Sequence, residues 1–117
     1  MQVLKFGGSS VANANNIQKV AAIVCNAAKS DSIVVVVSAL GGMTDLLLHS
    51  GKAAAEGDEI FRESVKQMEQ RHFEAVRELI PVARQSALLS LVKKATNEIE
   101  EICNGIFLLR EITPRNM

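Results

Sequence analysis

The sequence contains no tryptophan and no tyrosine, and four phenylalanines are the aromatic residues among its 117 positions. Aromatic side chains on which nucleobases could stack are therefore scarce. There is also no excess of charge, because thirteen basic side chains balance thirteen acidic ones. Binding to nucleic acid or to an anionic membrane usually depends on an excess of positive charge. We therefore predict neither a nucleic-acid partner nor a membrane partner.

Cysteine, histidine and long apolar runs are also scarce. The single residues Cys25, Cys103, His49 and His72 form no pattern with metal-ligand spacing, so no metal site is predicted. Two separate thiols are typical of reduced cysteines, and the start of the chain does not resemble a secretory signal. The longest apolar run, residues 33–37, is far too short to cross a bilayer. These features indicate a cytoplasmic protein.

The most informative stretch is VLKFGGSS at residues 3–10, which indicates a short strand that ends in a glycine turn. Adjacent glycines adopt positive φ at little cost and leave backbone N–H groups open to a ligand. Hydroxyl groups and a helix start near Asn13 follow, a combination typical of an anion site, most often for phosphate. On the pattern alone, an ordinary turn with a solvated lysine is equally compatible, since neither the P-loop nor the G-x-G-x-x-G pattern is present. The candidate phosphate-binding residues are Lys5, Gly7, Gly8, Ser9 and Ser10.

A second glycine-containing loop follows the next predicted strand. Apolar residues at spacings of three and four predict a helix over about 14–28, and a β-branched run predicts a strand over about 33–38 that is covered on both faces. Strand, helix and strand favour a right-handed βαβ unit, whose parallel strands end at the same edge of the sheet. The glycine turn and the second loop, residues 38–45, should then lie close together. Taken singly, Ser38 is explained by a hydroxyl bonded to backbone, and Thr44 by an N-cap.

The rest of the chain, about 45–110, is predicted to form three helices. Gly57 should end the first, and Asp58 should cap the second, which stops at Pro81. His72 lies among apolar neighbours in the second helix, so we interpret it as structural. The apolar stripe of that helix is Phe61, Val65, Met68, His72, Val76 and Leu79.

The last helix, about 83–109, is expected to pack against that stripe as a helical hairpin. Its heptad-like seam comprises Leu88, Val92, Ala95, Ile99, Ile102, Ile106 and Leu109. Such a seam also favours self-association. The helical region is therefore compatible with a second class of function, a non-catalytic module that mediates assembly.

Two motifs resemble those of a known family. The run KFGGSSV at residues 5–11 resembles the signature that opens aspartate kinases, which belong to the amino-acid kinase superfamily. The following ANA at 12–14 is most similar to the bifunctional aspartokinase–homoserine dehydrogenase type. The pair SA at 38–39 and the run GMTD at 42–45 resemble the second motif of the family. Many relatives have asparagine where this chain has Asp45, and an extra carboxylate near an anionic substrate is unfavourable unless it points away or caps the helix.

The resemblance implies an α/β fold, the N-terminal part of an amino-acid kinase catalytic domain. Residues 1–44 would be a βαβ unit with parallel strands at about 2–6 and 33–38 that carries the phosphate and substrate loops. Residues 45–110 would be the helical hairpin region, and residues 111–117 a truncated linker. Because two strands make a poor sheet, we expect the chain to be an incomplete piece of that domain.

The resemblance also implies a reaction, the transfer of a phosphoryl group from ATP, with Mg²⁺, to the side-chain carboxylate of L-aspartate. The product, 4-phospho-L-aspartate, would start lysine, threonine and methionine biosynthesis, with the isolated fragment inactive. Lys5 would be catalytic, the glycine turn and its serines would hold phosphate, and Ser38 and Thr44 would bind aspartate. A homo-oligomer is expected, and NADP only if a homoserine dehydrogenase module follows. Another amino-acid kinase, acting on glutamate or acetylglutamate, is the alternative enzyme.

Overall fold

A computed structural model describes residues 1–112 and shows the predicted order of elements. The strands and helices are β1 (Gln2–Phe6), α1 (Ala14–Ala28), β2 (Ile33–Val37), α2 (Met43–Ala55), α3 (Phe61–Leu79) and α4 (Val82–Ile112). The predicted fold class, a βαβ unit followed by three helices, is confirmed. The chain divides into two compact units, the first ending at Thr44 and the second beginning at Asp45. Of the predicted linker at 111–117, the first two residues end α4, and 113–117 lie outside the described residues.

The first unit is built on the pairing of β1 with β2. The strands are parallel, in a register that sets Gln2 beside Ile33 and Phe6 beside Val37. The connection between them is α1, which packs on β2. Asn13 caps α1 as predicted, because its side-chain Oδ1 accepts a hydrogen bond from the backbone N–H of Asn16 at 3.0 Å. Because β1 and β2 are parallel and Phe6 lies beside Val37, both strands end at the same edge of the sheet.

The predicted coverage of β2 on both faces is not met within the described residues. The exposed fractions of Val34, Val35, Val36 and Val37 run from 39% to 58%. The continuous apolar run is a strand, as expected, but the sheet formed by the described residues has only two strands. A two-stranded sheet next to one helix cannot bury a strand from all sides.

Helix α2 ends in a glycine-dependent C-cap, as the sequence predicts. Gly57 has φ of 76°, in the left-handed region. The N–H of Asp58 donates to the carbonyl of Ala53 at 2.8 Å, and the N–H of Gly57 donates to the carbonyl of Ala54 at 3.1 Å. These two bonds form a Schellman motif, which satisfies carbonyls that the helix end would leave unpaired.

Helices α3 and α4 pack as the predicted hairpin. The stripe on α3 turns inward, with Phe61, Val65 and Met68 at most 3% exposed. His72 is structural, since its Nδ1 lies 2.7 Å from the carbonyl oxygen of Met68. The prediction that Asp58 caps α3 is wrong, because the N-cap is Ile60, which has no side-chain cap bond. The Asp58 carboxylate instead accepts the N–H of Ile60 in the turn that precedes the helix.

The face that α4 turns toward the core matches the predicted seam in part. Ile99 and Ile106 of that seam pack against the core cluster. Thr96 and Cys103 are buried, at 5% and 4% exposed, whereas Ile102 and Leu109 are more than 60% exposed. Both inward residues have partners there. The Thr96 hydroxyl donates to the carboxylate of Glu69 at 2.8 Å, and Cys103 joins a cluster with Phe61, Ala53 and Ala54. Because α4 carries apolar residues on neighbouring faces, their spacing alone does not decide which face turns inward.

Glu69 of α3 is the centre of a polar cluster that links the hairpin. Its carboxylate accepts hydrogen bonds from the Thr96 hydroxyl at 2.8 Å and from Lys93 Nζ at 3.0 Å. Burial raises the pKa of Glu69, but the hydrogen bonds from Thr96 and Lys93 and the charges of Lys93 and Lys66 outweigh it. The net pKa is therefore lowered from its usual value, since the cluster favours the charged form.

The lowered pKa makes this cluster sensitive to acid. A carboxyl whose folded pKa is depressed stabilises the protein above its unfolded pKa, near 4.5, and loses that contribution as the pH falls through the folded value. We expect Glu69→Gln to lower the free energy of unfolding at pH 7 by about 1 kcal/mol, and the deficit to shrink below pH 4. Urea unfolding at several pH values measures this. Glu74→Gln, at an exposed position of the same helix, is the control and should leave stability unchanged at every pH.

The Schellman motif makes a second prediction. Gly57→Ala should lower the free energy of unfolding by about 1 kcal/mol, because an alanine is strained at positive φ. The added Cβ would also lie 3.2 Å from Cγ of Arg110. The control is Gly51→Ala within α2, where a Cβ has no atom within 4 Å and should stabilise by about 0.5–1 kcal/mol. Equal effects of the two changes in thermal unfolding would contradict this account.

Candidate functional site

The two glycine-containing loops meet at the edge where β1 and β2 end. The backbone N–H of Ser38 donates to the carbonyl of Phe6 at 3.1 Å, so Ser38 directly adjoins the end of β1. Further along, a Cβ placed on Gly41 would lie 3.0 Å from Cβ and 3.2 Å from Cα of Ala12. The loops are thus in van der Waals contact at Gly41. The prediction that they lie close together is confirmed.

The first loop is held by local hydrogen bonds. The N–H of Ser10 donates to the carbonyl of Gly7 at 3.0 Å, which closes a tight turn around Gly8 and Ser9. The side-chain Nδ2 of Asn16 donates to the carbonyl of Ser9 at 2.9 Å. Asn16 therefore ties the loop to the first turn of α1. Sequence reasoning missed this role, and its only signal was a polar residue three positions after the N-cap.

Gly7 and Gly8 differ in one respect from the prediction. Positive φ among the described glycines is found at Gly42 and Gly57, so the first turn does not use the left-handed region. Nor does packing require glycine here, because a Cβ on Gly7 or Gly8 would have no atom within 4 Å. The missing side chains leave open space around the backbone at the end of β1. This is the geometry that a ligand approaching the N–H groups needs.

Lys5 lies at the end of β1 beside Val36. Its neighbours along the strand, Leu4 and Phe6, are half-buried, whereas Lys5 itself is exposed. Successive side chains of a strand point to opposite faces, which explains the alternation. Among residues 1–112, no ion pair or hydrogen bond engages the Lys5 ammonium group. Its charge is therefore available to an anion.

Thr44 and Ser38 have exposed hydroxyl groups in the second loop region. Thr44 is the second residue of α2, so the interpretation that it caps this helix is wrong. The chain enters α2 through Gly42, whose φ is 80°, and the N–H of Met43 donates to the carbonyl of Leu40. Asp45 lies in the first turn of α2, where a negative charge is favoured by the helix dipole.

The two hydroxyl groups have no hydrogen-bond partner within the part of the chain that the structure describes. This removes the alternative in which the Ser38 hydroxyl is tied to backbone. The structure brings the glycine turn, its serines and Ser38 together at one edge of the sheet. No hydrogen bond among the described residues joins the side chains of Lys5, Ser38 and Thr44 to one another.

Neither a cluster of metal ligands nor a membrane-spanning helix is present in the described part of the chain. Within residues 1–112, no group of three or more histidine, cysteine, aspartate or glutamate side chains has the geometry to hold a metal ion. None of the helices in that range combines the length and the apolar composition needed to cross a membrane. The groups that the described residues bring to this edge of the sheet are a lysine charge, backbone N–H groups and hydroxyl groups, all suited to binding anions.

Comparison with known proteins agrees with this geometry. The model of the amino acid kinase family matches residues 1–107. The chain is 32% identical over 118 aligned positions to aspartokinase 1, chloroplastic, of Arabidopsis thaliana, and 29% identical over 114 to the bifunctional aspartokinase/homoserine dehydrogenase of Buchnera aphidicola. These alignments cover 97% and 95% of the chain, but 19% and 14% of the two relatives.

A solved structure is similar as well. The aspartate kinase of Clostridium acetobutylicum matches 92% of the chain with a TM-score of 0.63 and 28% sequence identity. The match covers 28% of that protein. The chain thus spans less than a third of the length of each relative with which it was compared.

The contact between the loops is testable. Gly41→Ala should lower the free energy of unfolding by about 1–3 kcal/mol, because the new Cβ would be 3.2 Å from backbone of Ala12 and the loops must separate. The matched control is Gly8→Ala, where the Cβ enters open space and stability should change by less than 0.5 kcal/mol, about the size of an ordinary surface substitution. Chemical denaturation monitored by circular dichroism measures both, and a Gly41→Ala variant as stable as the parent would contradict the loop contact.

Proposed function

The chain belongs to the amino acid kinase family, and from this membership we propose that it is the phosphate- and substrate-binding edge of an aspartate kinase. The observation that supports the proposal is the open glycine turn at the end of β1. Neither backbone conformation nor packing among the described residues requires glycine at Gly7 or Gly8. A ligand that must reach the backbone N–H groups does require the absence of side chains there.

The phosphate side of this site comprises Lys5 and the turn that follows it. Lys5 brings a full positive charge that is not neutralised within the described residues. The N–H groups of Gly7 and Gly8 and the hydroxyl groups of Ser9 and Ser10 supply further donors for phosphate oxygens of ATP. Asn16 keeps the turn in shape through its bond to the Ser9 carbonyl. Such fixed donors stabilise charge that develops as the phosphoryl group moves.

The aspartate side comprises the exposed hydroxyl groups of Ser38 and Thr44. The N–H of Ser38 donates to the carbonyl of Phe6, the residue before the glycine turn, and this proximity supports a role for Ser38 as a substrate donor beside the phosphate side. Asp45 is accommodated because the first turn of α2 favours its charge. The extra carboxylate is thus explained by the helix.

The proposed reaction needs no general base. The side-chain carboxylate of L-aspartate is ionised at neutral pH, and one of its oxygens attacks the γ-phosphorus of ATP. A new oxygen–phosphorus bond forms while the bond to the bridging oxygen of ADP breaks, giving 4-phospho-L-aspartate and ADP. The site correspondingly offers positive charge and hydrogen-bond donors. His72 is not assigned the role of a base, because its Nδ1 lies at hydrogen-bond distance from the Met68 carbonyl in the helical unit.

Mg²⁺ and NADP are the two further groups that the resemblance implies. Within residues 1–112, no group of three or more histidine, cysteine, aspartate or glutamate side chains could hold a metal ion, and we assign no protein ligand to Mg²⁺. NADP would be used by a homoserine dehydrogenase module. Of the relatives compared, the Buchnera protein has a name that includes that activity, so a bifunctional parent stays a prediction.

The charge of Lys5 gives the decisive test. In the full-length protein that carries this chain, Lys5→Met should lower kcat by about 100- to 1,000-fold, because the developing phosphoryl charge loses its cation. The assay is ADP formation that depends on L-aspartate. Circular dichroism should show an unchanged fold, since the Lys5 side chain is exposed.

Lys19→Met is the matched control, because Lys19 is an exposed lysine on α1 outside the glycine turn. It should leave kcat within about threefold of the parent, as surface substitutions away from a site usually do. Near-normal turnover in Lys5→Met would refute the assignment of Lys5. Activity with L-glutamate in place of L-aspartate would favour the alternative amino-acid kinase.

A further inference from the structure

The glycine turn at residues 7–10 has little packing to keep it in one shape. A Cβ on Gly7 or Gly8 would have no atom within 4 Å, so the space beside this backbone is empty among the described residues. Glycine also loses more conformational freedom than any other residue when its backbone is fixed. The openness that admits a ligand therefore leaves the shape of the turn to its hydrogen bonds.

Two hydrogen bonds fix the peptide group that joins Ser9 to Ser10. The N–H of Ser10 donates to the carbonyl of Gly7 at 3.0 Å. On the other side of the same peptide group, the carbonyl of Ser9 accepts a hydrogen bond from the side-chain Nδ2 of Asn16 at 2.9 Å. Within residues 1–112, Asn16 is the one residue outside the turn whose side chain bonds to the backbone of the turn. The orientation of this peptide group is thus set from both ends.

Asn16 can act as an anchor because helix α1 holds its own backbone. It is the third residue of α1, and its N–H donates to Oδ1 of the N-cap residue Asn13 at 3.0 Å. The carbonyl of Asn13 in turn accepts the N–H of Ile17 at 3.0 Å. The glycine turn is therefore bonded to the first turn of a helix of 15 residues.

We propose that Asn16 is a positioning residue for the phosphate groups of the nucleotide, an inference that rests on the function proposed above. Its bond directs the Ser9 carbonyl, whose partial negative charge would repel a phosphate, toward α1. The N–H groups of Gly8 and Ser9 donate to no acceptor within residues 1–112, and they are left for the anion. Because the turn has this shape before the nucleotide arrives, less conformational entropy is lost on binding.

Loss of the Asn16 amide should weaken the binding of ATP and spare that of aspartate. In the full-length protein that carries this chain, Asn16→Ala should raise KM for ATP about three- to tenfold, the range expected for one hydrogen bond. KM for L-aspartate should stay within about twofold of the parent, as for a change away from a site. The affinity for the non-hydrolysable β,γ-imido analogue of ATP, measured by isothermal titration calorimetry, should fall by the same factor as KM for ATP rises.

Asn16→Asp separates positioning from a purely structural role. A carboxylate has nearly the size of the amide, but when ionised it cannot donate to the Ser9 carbonyl. In the first turn of α1 its negative charge is favoured by the helix dipole, so the protein should be at least as stable to heat as the parent. KM for ATP should nevertheless rise about tenfold or more, because the donor is lost and a negative charge is added near the turn.

Asn15→Ala and Asn15→Asp are the matched controls. Asn15 is the adjacent, exposed asparagine of α1, and Asn15→Asp adds the same charge as Asn16→Asp. Both controls should leave KM for ATP within about threefold of the parent.

Three results would overturn the proposal. They are a parental KM for ATP in Asn16→Ala, a parental KM for ATP in Asn16→Asp, and a rise in Asn15→Asp as large as that in Asn16→Asp. A less stable Asn16→Ala variant that binds the imido analogue like the parent would show that the bond serves folding alone. The proposed function fails separately if the parent protein forms no ADP that depends on L-aspartate, and this inference then fails with it.

Discussion

Parallel hydrogen bonding between β1 and β2 is the constraint on which the candidate site depends. The register that sets Phe6 beside Val37 makes both strands end together, and the bond from the Ser38 N–H to the Phe6 carbonyl continues the ladder into the second loop. Two stretches separated by about thirty positions of sequence thereby become neighbours. A shift of one residue would turn Lys5 to the other face of the sheet and separate Ser38 from the glycine turn.

Glycine serves three different purposes in this chain, although it looks alike in the sequence. Gly57 and Gly42 adopt positive φ at the end of one helix segment and the start of another. Gly41 allows backbone to approach Ala12, which would collide with any larger side chain. Gly7 and Gly8 satisfy no such internal need. The open space around them is the basis of our proposal that a ligand binds at the end of β1.

The helical unit is organised by a mixture of apolar and polar contacts. Phe61 is fully buried against Cys103 and two small alanines, and its ring lies 5.7 Å from that of Phe107. Nearby, the carboxylate of Glu69 gathers Thr96 and Lys93 from α4. This contact joins α3 to α4 at a buried position, where the Thr96 hydroxyl also lies 3.0 Å from the Val92 carbonyl of its own helix.

Short-range patterns in the sequence determined the elements of this protein, and distant contacts determined how they are used. The period of apolar residues placed both strands and all four helices, and Asn13 and Gly57 marked a start and an end through bonds that local sequence decides. The glycine turn was recognisable because its chemistry lies within one run of residues. Three features needed the tertiary structure. The side chain of Asn16 reaches back to Ser9, Gly41 lies against Ala12, and the inward residues Thr96 and Cys103 of α4 have their partners on other helices. Each of these features depends on a partner far along the chain or on the direction of a side chain. The period of apolar residues carries no information about the identity of such a partner or about that direction.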